Sequence, residues 1–415
     1  MSGCGCDALR HSQSLMPFEE ALERLLSDVK VTASVEEVAL GNALGLILAE
    51  DQLSGVDVPP QDNSAMDGYA LNWADLKVGS NRLTISQRVP AGTAPEMLLP
   101  GTAARIFTGS EIPPGADAVV MQENTTAGET DSGIGWVEIN IPPEVGSNIR
   151  RRAQDIKAGQ VVMPAGTRLQ AAHLGVLASV GIASVKVYRP LKVAILTTGD
   201  ELVMPGNPLQ PGQIYNSNLF TIQGLLQGLG CEIVDLGIIE DTLEGTKAAL
   251  KRASELADCI VSSGGVSVGE EDHVKAAVES QGELTLWKMA IKPGKPMAFG
   301  YVNGTPFLGL PGNPSAVLVT FTMLARPYLL KSQGARQFLP NSFSVAAGFE
   351  RSKKIGRQEY LRVELENGRA VLGHSQSSGV LSSAVTAAGY LVVPPQTPVA
   401  VGDQLTFIPF SEVIN

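Results

Sequence analysis

The chain is predicted to be a multidomain protein built on a central doubly wound α/β domain, with a small β domain and a C-terminal β-barrel beside it. Three observations predict this. From Lys192 to about residue 331, short buried apolar runs alternate with helical stretches at the spacing of parallel crossovers. Two other regions, about 80–148 and from about 340 onward, read as short strands between Gly and Pro turns. Finally, 415 residues are too many for one ordinary core, and two to four domains are expected.

In chain order, PFEEALERLLSDV (17–29) has helical spacing, with Phe18, Ala21, Leu22, Leu25 and Leu26 on one face. A second short helix is expected over about 35–48. VDVPPQDNSAMDGYA (56–70) then breaks helix with paired prolines and turn formers. RLTISQRV, ARIFTGSEI, DAVVMQE and GWVEINI read as the strands of the small β module. Residues 149–190 are mixed, with Gly159 and Gly166, a helical stretch at 170–180 and the strand ASVKVYRP.

In the α/β segment, the strand VAILTTGDEL stops at Thr198-Gly199-Asp200-Glu201, and a helix is expected over 217–229. CEIVDLGII ends at Glu240-Asp241 and leads into a helix over 242–257. CIVSSGG, a helix near 272–281, the strand LTLWKMAIK, the strand and turn TPFLGLPGNP and a helix over 314–331 complete it. FSVAAGFE, EYLRVELE, RAVLGHS, YLVVPP and DQLTFIPF suggest the barrel. The expected divisions are a flexible tail over 1–13, an N-terminal helix and linker domain over 14–60 and 149–190, and a small β domain over 61–148. The α/β domain is placed over 191–335 and the barrel over 336–415.

Apolar content of 44% with 18% charged residues is ordinary for a soluble globular protein. A net charge of −11 argues against general affinity for nucleic acid or anionic membrane, so any anion site must be local. No run of about 18 apolar residues suggests a membrane span. The start, MSGCGCDALRHSQ, lacks the apolar core of a secretory signal. Cys231 and Cys259 fall in predicted strands and read as buried thiols, while Cys4 and Cys6 fall in the tail. The pattern fits a reducing, cytoplasmic setting.

The most informative stretch runs from Cys259 to Pro296. An apolar run leads into Ser262-Ser263-Gly264-Gly265, with Gly269 close behind. A glycine loop after a strand lets backbone N–H groups approach an oxyanion. Glu270, Glu271 and Asp272 follow, and such carboxylates can hold a hard cation. Lys288, Ala290 and Lys292 alternate onto one face of the next strand, and Lys292 and Lys295 flank Pro293-Gly294. These lysines can neutralise a multiply charged ligand, or instead deter edge pairing. The set suggests a site for a phosphorylated or oxyanionic substrate plus a metal.

Other positions carry a structural reading beside the functional one. The segment around Asp67 can be a hinge, and Thr108 can cap a turn. Arg150-Arg151-Arg152 with Asp155 can be a solvated loop or a phosphate clamp. Asp200 and Asp241 can cap helices, or join Glu201 at the strand ends where such folds bind ligands. Pro311-Gly312-Asn313-Pro314 opens a helix whose positive end faces the cleft, and Ser315 is placed to donate to an oxyanion there.

DNSAMDGYA (62–70), RIFTGSEIPPGADAVVMQE (105–123), NIRRRAQDI (148–156), TTGDEL (197–202), SSGGVSVGEEDHVK (262–275), IKPGKPMAFG (291–300) and LPGNPSA (310–316) closely resemble the MoeA family of molybdopterin molybdenumtransferases, which is similar to the E domain of gephyrin. The likeness is collinear from about residue 14 onward. It implies insertion of molybdate into adenylated molybdopterin, with AMP and molybdenum cofactor released and magnesium assisting. It also implies a homodimer of elongated four-domain subunits, with the cleft between the α/β domain of one and the small β domain of the other. A donor of adenylated molybdopterin and molybdoenzyme-maturation proteins are possible further partners.

By position, the resemblance makes Asp272, Lys292, Lys295, Glu201 and Asp67 catalytic, with Asp272 and Glu201 toward the metal. Thr108, Arg150, Asp155, Asp200, Asp241, Ser263, Gly264, Gly265, Lys288, Pro311, Pro314 and Ser315 become substrate-binding. Arg362 and Ser378 align near the entering molybdate. The rival readings are a pterin-binding carrier or scaffold without turnover, and a generic nucleotide hydrolase.

Overall fold

The segment from Lys192 onward forms a six-stranded sheet in the computed structural model, which describes residues 15–27, 29–76, 81–265, 273–294 and 296–414. Its strand order is Glu232–Ile239, Lys192–Thr198, Cys259–Ser263, Thr305–Leu310, Pro296–Val302, Gly282–Lys288. The first four strands are mutually parallel, and Pro296–Val302 runs antiparallel to its neighbours on both sides. Side chains on successive strand residues point to opposite faces. Accordingly Val193 and Ile195 join one core with Leu219, Ile222 and Leu226 of helix Ser217–Gly228. Ala194 and Leu196 join another with Leu250 and Ala253 of helix Leu243–Leu256 and with Val274 and Val278 of helix His273–Glu279. Covering both faces is what makes these strands read as unbroken apolar runs.

The last long helical stretch begins at Pro314, passes through a buried π-helical turn at Phe321–Ala325 and ends at Ser332. Thr320 and Thr322 sit inside it, and their hydroxyls donate back to Ala316 O and Leu318 O at 2.7 and 2.8 Å.

The C-terminal region is a closed five-strand barrel. Gln358–Glu366 pairs with both Arg369–Leu372 and Gly389–Val393, and Phe343–Ala347 and Gln404–Pro409 complete the circuit. A short strand of the α/β segment, Ile291–Lys292, adds in parallel to Gln358–Glu359. The N-terminal helix Phe18–Ser27 buries Phe18, Ala21 and Leu25, and Phe18 meets Tyr360 of the barrel edge to face at 5.6 Å. That helix therefore packs against the barrel and the α/β core together.

The small β domain is a six-stranded sheet, with Gly68–Leu71 between Ala118–Met121 and Thr102–Ile106. The linker region carries helix Ala171–Ser179 and the sheet Val35–Ala39, Ser184–Tyr188, Ile47–Leu48. The helix expected over 35–48 is not formed. Val35–Ala39 pairs antiparallel with Ser184–Tyr188, and a single 3-10 turn at Leu40–Asn42 follows.

The linker region is tied to the α/β domain by the Arg189 guanidinium, which donates to both Asp258 oxygens at 2.7 Å. Cys231 and Cys259 are free and buried, and burial pushes the Cys231 thiol up to about 12. Cys4 and Cys6 lie outside the described residues. Among the described residues no helix is long and apolar enough to cross a membrane.

Candidate active site

Four parallel strands end together at Thr198, Ile239, Ser263 and Leu310, and an open cleft of about 900 Å³ lies beyond them. Ligands of open α/β sheets bind in this place, outside the carboxyl ends of the strands. Thr198, Gly199, Glu201, Asp241, Gly264 and Gly265 contribute to the lining. Lys292 to Gly294, Pro311 to Asn313, Ala316, Arg357 and Gln376 to Ser378 form the rest. The lining thus combines two acids, Glu201 and Asp241, with two cations, Lys292 and Arg357.

The glycine loop is shaped by its neighbour strand. Gly264 has φ +94°, and a Cβ there would lie 2.6 Å from Thr198 O. At Gly265 the φ is +63°, and a Cβ would lie 2.4 Å from Val274 Cγ2. Both positions need glycine for backbone and for space. Ser263 Oγ donates to Pro311 O at 3.3 Å. Asn218 Nδ2 donates to Ser263 Oγ at 3.0 Å and to Gly312 O at 2.7 Å, which joins the two loops at the floor of the cleft. Ser263, Asn218 and Pro314 line a smaller recess that shares Thr198, Glu201 and Gly264 with the cleft.

Asp241 is not a helix cap. Thr242 accepts the capping bond from Gly245 N, and Asp241 Oδ1 accepts from Thr198 Oγ1 at 2.9 Å. Asp200 caps no helix either, because the next one begins at Ser217 under the Asn216 cap. Asp200 is exposed and is not part of the cleft lining, whereas Glu201 is. The Glu201 carboxylate folds back over Gly199, where an added Cβ would sit 2.6 Å from Oε2.

The predicted single strand carrying Lys288, Ala290 and Lys292 is two strands. Met16 N donates to Lys288 O and Ala290 N to Met16 O, both at 2.8 Å, which ends the sheet pairing at Lys288. Ile291–Lys292 then runs along the barrel instead. Lys288 and Lys292 therefore do not share a strand face, and only Lys292 lines the cleft. Lys292 Nζ lies 3.1 Å from Glu359 Oε1.

In the barrel, Arg362 is fully buried and absent from the cleft lining. Its Nε donates to Ser383 Oγ at 2.7 Å, and its Nη2 donates to Ser375 O and Ser377 O at 3.0 and 3.1 Å. Gln376 is bound both ways to the Arg362 backbone. Arg362 thus shapes the loop that presents Gln376, Ser377 and Ser378 to the cleft. The Ser315 hydroxyl is committed to Val380 O at 2.7 Å, and its amide to Ser378 O at 2.9 Å. Ser315 therefore ties the helix start to the same loop.

A second cluster sits on the small β domain and the adjoining linker and takes no part in this lining. Asp67 Oδ1 accepts from Thr108 N at 2.7 Å and Thr108 Oγ1 at 2.8 Å, which holds the carboxyl below its ordinary value. Arg151 pairs with Asp62 at 2.6 Å and Arg152 with Asp57, while Arg150 makes no ion pair among the described residues and is exposed, as is Asp155. Asp272, Lys295, Gly269, Glu270 and Glu271 lie outside the described residues. Among the described residues no three His, Cys, Asp or Glu side chains gather as a metal cluster.

Sequence reasoning did not single out Asn218, Arg351, Arg357, Glu359 or Gln376. Glu359 carried a visible signal, an acid inside the apolar strand EYLRV, where only a paired charge is tolerated.

The chain matches family models described as "MoeA N-terminal region (domain I and II)" over 16–181, "Probable molybdopterin binding domain" over 194–331 and "MoeA C-terminal region (domain IV)" over 344–410. It is 41% identical to a molybdopterin molybdenumtransferase of Haemophilus influenzae, covering 97% of this chain and 100% of that protein. A protein of the same name from Nostoc sp. is 38% identical over 86% of this chain and 85% of that one. The solved structure of a molybdopterin biosynthesis MoeA protein from Pyrococcus horikoshii OT3 superposes with a TM-score of 0.81 at 30% identity, over 95% of this chain and 100% of that chain. With these extents and identities, the chain belongs to the MoeA family of molybdopterin molybdenumtransferases.

Proposed function

We propose that the protein is a transferase of molybdenum cofactor biosynthesis that inserts molybdate into adenylated molybdopterin and releases AMP. The observation that carries this reading is the cleft itself, which Glu201 and Asp241 near the strand ends line together with Lys292 and Arg357. Its volume, about 900 Å³, suits a large polar substrate. The Gly264 amide donates to Leu310 O at 3.3 Å, so the donor this loop offers the phosphate or the oxyanion is the Gly265 amide. Lys292 neutralises the molybdate dianion, and the Ser377–Ser378 loop held by Arg362 closes around it. The described residues call for no protein nucleophile, so catalysis rests on positioning and electrostatics.

Magnesium fits the donors present. Glu201 and Asp241 offer hard carboxylate oxygens, and magnesium usually takes one or two carboxylates with water and substrate phosphate. Asp272 belongs to the same set by resemblance. When bound, the ion supplies charge neutralisation at the phosphate whose bond to molybdopterin is broken.

The working unit we infer is a homodimer. Asp67, Thr108, Arg150 and Asp155 lie outside the lining of this chain's own cleft, and a second copy presenting them would complete it. Apolar side chains exposed on the small β domain and linker, among them Met97, Leu99, Val145 and Leu44, support such a contact. The setting we infer is the cytoplasm, with adenylated molybdopterin handed over by another protein.

The test is molybdate-dependent cofactor formation by Asp241→Asn and Lys292→Ala. Each is expected to lose about a hundredfold or more in turnover. Full activity in both would overturn the assignment, and tight pterin binding without turnover in the unaltered chain would favour a carrier.

A further inference from the structure

Lys292 stands where the cleft meets a second, smaller cavity at the barrel, and it lines both. The smaller space, about 50 Å³, is also bordered by Arg351, Glu359 and Gln376. Three charges meet there. Lys292 Nζ lies 3.1 Å from Glu359 Oε1, Arg351 Nη2 donates to the same oxygen at 3.0 Å, and Arg351 Nη1 closes onto Oε2. The Glu359 side chain is 3% exposed, against 33% for Lys292.

The backbone fixes all three members. Lys292 and Glu359 are register partners in the parallel pairing of Ile291–Lys292 with the barrel. Arg351 is held by two backbone bonds to Val399, at 2.7 and 2.9 Å. Burial alone would raise the Glu359 carboxyl, but donors from Arg351 and Lys292 outweigh it and hold it below its ordinary value.

A bidentate Arg–Glu pair is already neutral, so balancing Glu359 does not require the lysine. The surplus positive charge of the trio therefore resides with Lys292, its most exposed member. An ammonium has three donors, and Glu359 engages one. A lysine without such a partner would have to give up the rotamer freedom of a four-carbon stem on meeting an anion.

We propose that Glu359 is a positioning residue for the reaction: clamped by Arg351, it holds the Lys292 ammonium at the cleft wall and leaves its other donors for the oxyanion. This rests on the functional reading above and adds a residue that acts only through Lys292.

The test is a double-mutant cycle on the full chain, read as molybdate affinity by calorimetry and as the KM for molybdate in turnover. Glu359→Gln is expected to weaken molybdate binding about tenfold while affinity for adenylated molybdopterin stays unchanged. In a Lys292→Ala background the same change is expected to add less than about twofold. Because Glu359→Gln strips Arg351 of its charged partner, Arg351→Met/Glu359→Gln serves as a second variant. It preserves the net charge of the trio and is expected to show the same loss of about tenfold.

Losses at Glu359 and Lys292 that simply add, or unchanged molybdate affinity in both Glu359 variants, would overturn the proposal alone. An unaltered chain that binds neither molybdate nor adenylated molybdopterin would overturn the functional reading and this proposal with it.

Discussion

Thr198 Oγ1 donates to Asp241 Oδ1 at 2.9 Å, joining the ends of two adjacent parallel strands across the mouth of the cleft. Thr198 is buried and Asp241 half-buried, so the bond fixes which way the carboxylate points. Thr198→Val keeps the shape and removes the donor. It is expected to cost about 1 kcal/mol of stability and to lower turnover more than thermal stability, as Tm and single-turnover rates would reveal. Unchanged turnover would mean that the orientation of Asp241 is immaterial.

Gly264→Ala tests the cradle. The positive φ and the 2.6 Å approach to Thr198 O leave no place for a methyl group. The expected cost is about 1–3 kcal/mol, together with loss of phosphate or oxyanion binding. An alanine variant with native Tm and native affinity would show that the loop is not held this tightly.

Arg362→Met tests the barrel loop. The guanidinium satisfies Ser375 O, Ser377 O and Ser383 Oγ from a fully buried position. Removing it leaves the Ser375 and Ser377 carbonyls without this donor, at about 1–3 kcal/mol. Molybdate KM is expected to rise through displacement of Ser377 and Ser378. A stability loss with unaltered KM would separate the loop from the substrate.

Acid stability should report on the Arg189–Asp258 junction. Burial alone would raise the Asp258 carboxyl, yet the Arg189 guanidinium and Lys192 amide hold it below its ordinary value. A carboxyl depressed in the folded state stabilises above its unfolded pKa, and that contribution is lost as pH falls through the folded value. Unfolding followed from about pH 6 down to about pH 3 should therefore show a shallower acid loss in Asp258→Asn than in the unaltered chain. Parallel acid profiles would contradict this. The same variant is expected to lose about 2 kcal/mol at neutral pH.

The α/β domain was legible because its parallel strands are covered on both faces, so a run such as VAILTT is apolar without alternation. The N-terminal helix was legible because Phe18, Ala21 and Leu25 recur at helical spacing and are indeed buried. Residues 35–48 misled because their spacing also suits a helix, while the partner strand lies at Ser184–Tyr188, far along the chain. Lys288 and Lys292 misled for a similar reason. Met16 interrupts the strand from outside, and nothing in LTLWKMAIK reveals it.

At the site, Gly264, Gly265, Glu201 and Asp241 line the cleft where the sequence placed them, because their chemistry is local, whereas Asp200 does not. The roles of Arg362, Ser315 and Glu359 were not legible, since each depends on partners from another segment of the chain. Arg362 read as a cation near the entering molybdate; in the fold its Nε and Nη2 hold Ser383 Oγ and the Ser375 and Ser377 carbonyls, and its buried Nη1 has no protein partner.

The most direct test of the central claim is single-turnover release of AMP from adenylated molybdopterin by the full chain with magnesium, with and without molybdate. The account predicts AMP release that depends on molybdate and is accompanied by molybdenum cofactor. AMP released equally without molybdate and without cofactor formation, or pterin bound with no release, would contradict it.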